Sequence, residues 1–285
     1  MSSFVRSLAI AACGLATSVI TAVVFVLASK AWGADLYTFS VWGLLPIGAI
    51  AAGGLAASGY YFGSVRLNKR PDAWLLLEMV VNAGLTQLLI YYLGYVTLVL
   101  ADGQHVADVV SFGRYLDILF TKAHLQLGVG ADMHEEANEL GSVGYGVAAI
   151  YFVGFLLGGL MVWGFLRVKP FCSACDVYFR KLSKRSRSYA NTDSALQYYN
   201  QVFRHPFDSA EFASLLRAPS KVSKPGKGAM IIDTILHGCP KCRAQLIEEK
   251  VQVHNGKQWS EVRDMQRRVE VPASMDLRRL FQSAR

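Results

Sequence analysis

Charged residues are missing from three long stretches of this 285-residue sequence and nearly missing from a fourth. Residues 8–28, 41–63 and 144–166 contain none, and residues 74–100 contain a single acid, Glu78. Each stretch has at least the roughly 20 residues that an apolar helix needs to cross the hydrocarbon core of a bilayer. A single water-soluble core is therefore excluded. The sequence predicts a membrane domain, residues 1–166, built as a bundle of four transmembrane helices.

Cysteine is also scarce, since the chain has five, and none lies in the loop 102–143 between the third and fourth predicted spans. This absence argues against a disulfide framework outside the membrane. A secretory signal peptide is the alternative interpretation of residues 8–28. That run is longer than a usual signal-peptide core and follows a weakly charged start, so the sequence favours a retained span.

The charges that are present are distributed unevenly along the chain. From Arg167 to the end, 22 Lys and Arg stand against 11 Asp and Glu, a net charge of +11. Loop 102–143 has 2 against 7, a net charge of −5. Because segments rich in Lys and Arg are retained in the cytoplasm, both termini are predicted to be cytoplasmic in a multi-pass protein of the cell membrane.

The second and third predicted spans contain the features that bear on packing and transport. Residues 41–63 are rich in Gly and Ala, which predicts close helix packing and leaves a homo-oligomer interface open. In the third span Glu78, Asn82 and Thr86 lie on one helix face. An acid within a span is a functional hypothesis by default. Because Glu78 lies about one turn beyond Trp74, near the inner interface, the sequence favours an ion pair with Arg66 or Arg70 over a transport role.

The loop 102–143 is too long for a simple turn and contains apolar residues at helical spacing between residues 109 and 127. Charged residues fall largely on the other side of this segment. The pattern predicts an amphipathic helix that lies on the outer membrane face or caps the bundle.

Two Cys-x-x-Cys pairs, Cys172 with Cys175 and Cys239 with Cys242, form the clearest chemical motif. Thiolates held in such pairs chelate zinc tetrahedrally. Strand-like segments at residues 230–236 and 246–254 flank the second pair, the dipeptide at 255–256 favours a turn, and residues 257–271 would supply a third strand.

These residues resemble the zinc-ribbon class, in which two knuckles on β-hairpins clasp one zinc ion. The resemblance implies a structural Zn²⁺ held by Cys172, Cys175, Cys239 and Cys242 in a cytoplasmic α+β domain, residues 167–285. Two features depart from the class: 63 residues separate the pairs, and Arg243 follows the second pair where many ribbons have glycine. A helical insert at about residues 180–218, with Asp193 and Asp208 starting its two helices, would account for the first departure.

A basic run lies just beyond the membrane and is a candidate for contact with anionic lipid headgroups. Its cations are Arg180, Lys181, Lys184, Arg185 and Arg187. The tail lacks an interleaved platform of aromatic and basic residues, which argues against nucleic acid as a partner.

Motifs for phosphate loops, nucleophile elbows and metalloproteases are absent from the sequence. The sequence therefore favours a membrane-anchored scaffold or adaptor with an unidentified protein partner over an enzyme. One alternative is a small transporter or channel component that uses Glu78, Asn82 and Thr86. A second is a membrane thiol oxidoreductase, although enzymes of that class place reactive cysteines at the outer face.

Overall fold

The computed structural model describes residues 3–32, 36–40, 45–122, 141–218 and 226–282. The chain divides into two compact units, Met1–Lys169 and Pro170–Arg285. The boundary lies three residues beyond the predicted end of the membrane domain. We refer to the two parts as the helical unit and the sheet unit.

The described part of the helical unit contains four long helices and two short ones. They are α1 (Ser3–Trp32), α2 (Ile47–Leu67), α3 (Ala73–Thr97), α4 (Val106–Val109), α5 (Phe112–Thr121) and α6 (Val143–Val168). Three segments, Phe4–Trp32, Ala73–Thr97 and Val143–Val168, are long and apolar enough to cross a membrane. At about 1.5 Å of rise per residue, each exceeds the roughly 30 Å hydrocarbon core.

Helix α2 does not belong to that set. Three of the four predicted spans are therefore present as helices long and apolar enough to cross a membrane. It begins at Ile47, six residues after the predicted start, and residues 41–44 lie outside the described part. Its composition explains the difference, because glycine, serine and tyrosine lower the mean hydropathy. Helix α2 packs against both α1 and α6.

Backbone contact, made by glycines, holds α2 against its neighbours. A Cβ atom on Gly53 would lie 1.9 Å from the backbone oxygen of Phe155, and one on Gly158 would lie 2.1 Å from that of Ile50. A Cβ on Gly59 would similarly lie 2.1 Å from the backbone oxygen of Cys13. These distances require glycine, so the small residues of α2 serve the close packing that their spacing predicts.

The third span and the loop after it differ in detail from expectation. Helix α3 ends at Thr97 rather than at residue 100, because Val99 turns back to form a β-bridge with His105. Helix α5 supplies ten residues of the predicted amphipathic segment, and Phe112 packs against Tyr92 and Tyr95 of α3. The remainder of that segment, from residue 123, lies outside the described residues.

The sheet unit is built on an antiparallel sheet whose central strands form one long hairpin. The strands of the unit are β1 (Phe171–Cys172), β2 (Val177–Tyr178), β3 (Arg180–Tyr189), β4 (Met230–Gly238), β5 (Gln245–His254), β6 (Trp259–Glu261) and β7 (Arg267–Val271). Strands β3, β4 and β5 are consecutive neighbours, and both β6 and β7 pair with β5. Strands β1 and β2 form a separate small hairpin.

The predicted strands at 230–236 and 246–254 are present as β4 and β5. The predicted third strand, 257–271, is wrong as a single element. It is interrupted by a 3-10 turn at Arg263–Met265, which separates β6 from β7. The turn after β5 contains Gly256 at φ +101°, a conformation that glycine adopts without strain.

The helices of the sheet unit are α7 (Thr192–Val202), α8 (Ala210–Arg217) and α9 (Arg278–Gln282). They pack with the sheet in one core that contains Tyr198, Phe212, Ile232 and Ile247. Burial of these large side chains is the main source of stability for the unit.

The predicted helical insert at 180–218 starts too early, because residues 180–189 form β3. Alternate side chains of this strand, those of Arg185, Arg187 and Tyr189, contact the helices, as the two-residue period of a strand requires. The helical part begins at Thr192. The N-caps of the two helices lie two residues before Asp193 and one residue after Asp208.

Short polar side chains start both helices of the insert. The Asn191 side chain accepts a hydrogen bond from the N–H of Ser194 at 3.0 Å, and the Ser209 hydroxyl accepts one from the N–H of Phe212 at 3.0 Å. Both are favoured N-cap residues. The caps are therefore Asn191 and Ser209.

Candidate metal centre

The first cysteine pair lies on the turn of the small hairpin formed by β1 and β2. Cys172 pairs with Val177 across the hairpin, and the N–H of Phe179 donates to the backbone oxygen of Pro170 at 3.0 Å. Asp176 adopts a left-handed conformation at φ 53°, which reverses the chain after Cys175. The hairpin thus turns both sulfur atoms of the pair to one side.

The second pair occupies the turn between β4 and β5. The N–H of Cys239 donates to the backbone oxygen of Ala244 at 2.9 Å, which closes the turn. The N–H groups of Lys241 and Cys242 both donate to the sulfur of Cys239 at 3.4 Å. This arrangement prepares a thiolate, because each N–H points at the atom that bears the negative charge.

The fold brings the two pairs together. The sulfur atoms of Cys172, Cys175, Cys239 and Cys242 all lie within 4.8 Å of one another, and all four cysteines are free. The sulfurs of Cys172 and Cys242 are 3.8 Å apart. Four sulfurs at about 2.3 Å from a tetrahedral ion would be about 3.8 Å apart, so the cluster fits a metal of the size of Zn²⁺.

The thiols of the cluster differ in acidity. Burial alone would raise the pKa of Cys239, but the two N–H groups at its sulfur and neighbouring thiols lower it to about 7. The hydrogen bond with Cys242 helps to raise the pKa of Cys175 to about 12, and burial raises that of Cys172. Without a cation Cys239 therefore ionises more readily than Cys172 or Cys175, whereas a bound metal ion would favour thiolates at all four positions.

Lys241 joins the two halves of the cluster. Its ammonium group donates to the backbone oxygen of Cys175 at 3.3 Å. Four thiolates around a divalent ion carry a net charge of −2, and a lysine beside them offsets part of that charge. Sequence reasoning missed this role, and the only signal for it was the position of Lys241 between the two cysteines of the second pair.

The nearby histidines are not among the ligands. His237 is close to Cys239 in sequence, but its Nε2 atom lies 3.1 Å from Glu248 Oε2 on β5. Hydrogen bonds from His237 and Arg268 lower the pKa of Glu248 to about 2. His254 packs its ring edge-on against Trp259, with centroids 5.0 Å apart. The donor set within the described residues is therefore all sulfur.

Of the three polar residues of the third predicted span, Asn82 and Thr86 are hydrogen-bonded within the helical unit, whereas Glu78 is not joined to them. Asn82 donates to the Ser18 hydroxyl at 2.7 Å, and the Thr86 hydroxyl donates to the backbone oxygen of Asn82 at 2.6 Å. Glu78 forms no ion pair with Arg66 or Arg70, all three of which the structure describes. One of its carboxylate oxygens is buried without a hydrogen-bond partner.

The basic run is divided between the surface and the interior. Arg180, Lys181 and Lys184 are exposed, whereas Arg187 is 5% exposed and stacks on Tyr198 with its guanidinium 4.6 Å from the ring centre. Arg185 donates to the backbone oxygens of Leu216 and Leu280. The five cations therefore do not share one face.

The described residues define an α-helical unit with three helices long and apolar enough to cross a membrane, followed by a sheet unit with a four-cysteine cluster compatible with zinc. Comparison of the chain with protein-family models, with curated proteins and with solved structures finds no match.

Proposed function

We propose that this chain is a multi-pass membrane protein whose sheet unit is a zinc-stabilised interaction module, held at the cytoplasmic membrane face to bind a protein partner. The observation that carries the proposal is the set of four sulfur atoms within 4.8 Å of one another. Four thiolates close the coordination sphere of Zn²⁺, whereas a catalytic zinc keeps a position open. The ion therefore has a structural role.

Several observations support the membrane part of the proposal. Helix α2 has 21 residues, enough to act as a fourth span when α1 and α6 cover its glycine-rich surfaces. Four spans place both termini on one side. The net charge of +11 after residue 166 favours the cytoplasm for that side.

The hairpin arrangement supports the zinc-ribbon resemblance in outline, because each cysteine pair lies on the turn of an antiparallel hairpin. Strand β3 and two helices occupy the long interval between the pairs. Contact with anionic lipid would depend mainly on Arg180 and Lys181, because the third exposed cation of β3, Lys184, pairs with Asp233 at 2.7 Å.

Topology is tested by labelling single introduced cysteines with a membrane-impermeant maleimide in a Cys13→Ser background. Gln104→Cys lies in the exposed turn after α3, and Lys257→Cys lies in the exposed turn after β5. We expect Gln104→Cys to react in intact cells and Lys257→Cys only after permeabilisation. Labelling of Lys257→Cys in intact cells would overturn the cytoplasmic placement.

The interaction role is tested by crosslinking in cells that express the full chain, followed by purification and identification of attached proteins. A partner should attach equally to the wild type and to Cys13→Ser, and attachment should be lost in Cys239→Ser. If the same proteins attach to all three chains, or if none attaches to the wild type, the interaction role is wrong.

A further inference from the structure

An open cavity of about 490 Å³ lies within the helical unit. Its walls come from α1, α3, α5 and α6 and from the segment at residues 36–40 that precedes α2. The cavity exists because α2 begins only at Ile47, while α1, α3 and α6 continue beyond that level. Its volume falls in the range of about 300–1,000 Å³ that is typical of ligand pockets.

The segment before α2 closes the cavity on one side. The N–H of Gly48 donates to the backbone oxygen of Phe39 at 2.9 Å, and a Cβ on Gly48 would lie 2.0 Å from the backbone oxygen of Leu36. The buried ring of Tyr37 is therefore held over the first turn of α2, where it packs against Tyr91 and Tyr151. These contacts give the cavity a preformed aromatic wall.

Two tyrosine hydroxyls of this wall form hydrogen bonds with other protein groups. Tyr151 donates to the backbone oxygen of Thr38 at 2.7 Å, and Tyr91 accepts a hydrogen bond from Gln87 at 3.0 Å. The rings therefore present mainly carbon to the cavity. Phe25, Ile90 and Val147 extend the apolar lining.

Lys30 is the one charged residue among the described residues that line the cavity. It is exposed, and its ammonium group donates to the backbone oxygen of Thr97 at 2.7 Å. That bond fixes the cation at the last turn of α3 and leaves two of its three N–H donors for a ligand. With no carboxylate in the described lining, the site favours an anion over a cation.

We propose that this cavity binds an amphiphile that has a long acyl chain and an anionic headgroup. The chain occupies the aromatic cavity, and the headgroup contacts Lys30. A free fatty acid and the acyl chain of an anionic phospholipid share this chemistry. The site does not depend on the cysteine cluster.

The probe is a photoactivatable palmitate with its reactive group on the acyl chain, added to the purified full chain in detergent micelles. Adducts are mapped by peptide mass spectrometry. We expect them on the cavity walls in α1, α3 and α6. Adducts spread evenly over the exposed faces of the helices would overturn the proposal.

A matched pair of variants isolates the cavity. Ala148 lines it, whereas Ala149, its neighbour on α6, is exposed and does not. Ala148→Phe should reduce photolabelling by about tenfold or more, because the ring fills the space that the chain needs. Ala149→Phe should label like the wild type, and equal labelling of the two variants would contradict the proposal.

A second variant tests the headgroup and does not depend on the folding of Ala148→Phe. Unlabelled palmitate should compete about tenfold less well against the probe in Lys30→Gln than in the wild type, whereas uncharged hexadecanol should compete equally in both. Competition by phosphatidylglycerol at the palmitate level would identify the source as the bilayer, and its failure would identify a free fatty acid. If hexadecanol competes as well as palmitate in the wild type, the role of Lys30 is wrong.

Discussion

The interiors of the two units solve the packing problem in opposite ways. In the helical unit, Gly53, Gly59 and Gly158 let backbones touch, and the buried polar contacts are neutral ones such as Asn82 with Ser18. The sheet unit packs large side chains and buries charges, among them Arg187 and a Glu249 that is fully buried. In lipid the hydrophobic effect does not drive helix association, so the helices are held together by van der Waals contact, which requires close approach. In water the burial of apolar side chains stabilises the fold, and this free energy can offset the cost of burying charges.

The buried charges of the sheet unit are paired within its core. Glu249 accepts hydrogen bonds from Arg267 at 2.9 Å and from Thr234 at 3.2 Å. The guanidinium of Arg267 lies 3.8 Å from the ring centre of Tyr199 and also donates to the backbone oxygen of that residue. A unit of this size therefore combines an apolar core, a charge network and a candidate metal centre.

The largest effect should come from removing the metal. We expect Cys239→Ser to lose bound zinc and to lose most of the hydrogen-exchange protection of β4 and β5, because structural zinc contributes on the order of 10 kcal/mol to folding. Elemental analysis and hydrogen exchange of the full chain in detergent measure both.

Cys13→Ser is the matched control for that variant, since Cys13 lies in α1 and outside the cluster. We expect it to hold about one zinc per chain, the content also expected of the wild type. Iron in place of zinc would change the assigned metal, and unchanged protection in Cys239→Ser would show that the sheet unit folds without a metal.

The second effect tests close packing in the helical unit. Gly158→Ala places a methyl group 2.1 Å from the backbone oxygen of Ile50, and we expect it to cost about 3 kcal/mol or more. Gly164→Ala, on the same helix, meets nothing within 4 Å and should be neutral or stabilise the helix by up to about 1 kcal/mol. Thermal unfolding in detergent compares them, and equal effects would mean that α2 and α6 do not touch as described.

The third effect tests the buried charge network of the sheet unit. Arg267→Gln leaves Glu249 buried without its cation and should cost about 3 kcal/mol. Arg268→Gln, the next residue, should cost about 1 kcal/mol, because its side chain is 43% exposed beside Glu248. Hydrogen exchange at β5 measures both, and equal losses would show that burial does not distinguish the two arginines.

The same pair of variants should differ in pH dependence. Burial raises the pKa of Glu249. A carboxyl with a raised pKa favours folding while it is protonated, and this contribution is lost as the pH rises through its folded-state pKa. Loss of Arg267 raises that pKa further, so the deficit of Arg267→Gln should grow as the pH rises through the interval above the ordinary pKa of a carboxyl group. A deficit that shrinks over this interval would contradict the assignment.

The smallest effect concerns a helix cap. Ser209→Ala should destabilise α8 by about 1 kcal/mol, because the N–H of Phe212 loses its acceptor. Ser214→Ala is the control, since its hydroxyl is exposed and bonds only to the preceding turn. Hydrogen exchange gives the free energy of local opening of α8. It should fall by about 1 kcal/mol in the first variant and change by less than about 0.5 kcal/mol in the second.

Local patterns in the sequence predicted three long helices, strands β4 and β5 and the grouping of the four cysteines. Each depends on neighbouring residues or on a ligand chemistry that admits few alternatives. Strand β3 was missed because Arg185 and Arg187 suggest a solvated surface. Their partners lie on other elements of the unit: Arg185 donates to the backbone oxygens of Leu216 and Leu280, and Arg187 stacks on Tyr198.

The cavity at Lys30 could not be predicted either. Its lining comes from five separate segments, and no spacing within any of them marks it. Its existence depends on where α2 begins, and within the uncharged run at 41–63 Pro46 was the one local signal for the start at Ile47. Helix boundaries within uniformly apolar sequence are poorly determined by composition.

The interval between the cysteine pairs has a consequence for biosynthesis. Cys172 and Cys175 follow α6 almost at once, but Cys239 and Cys242 are made 63 residues after the first pair. The ion cannot have its full ligand set until the β4–β5 turn has been synthesised, by which time every long helix of the helical unit is complete. Metal loading of this candidate centre would therefore be a late step in the maturation of the chain, and a shortage of the metal would leave fully synthesised molecules with an unfinished sheet unit.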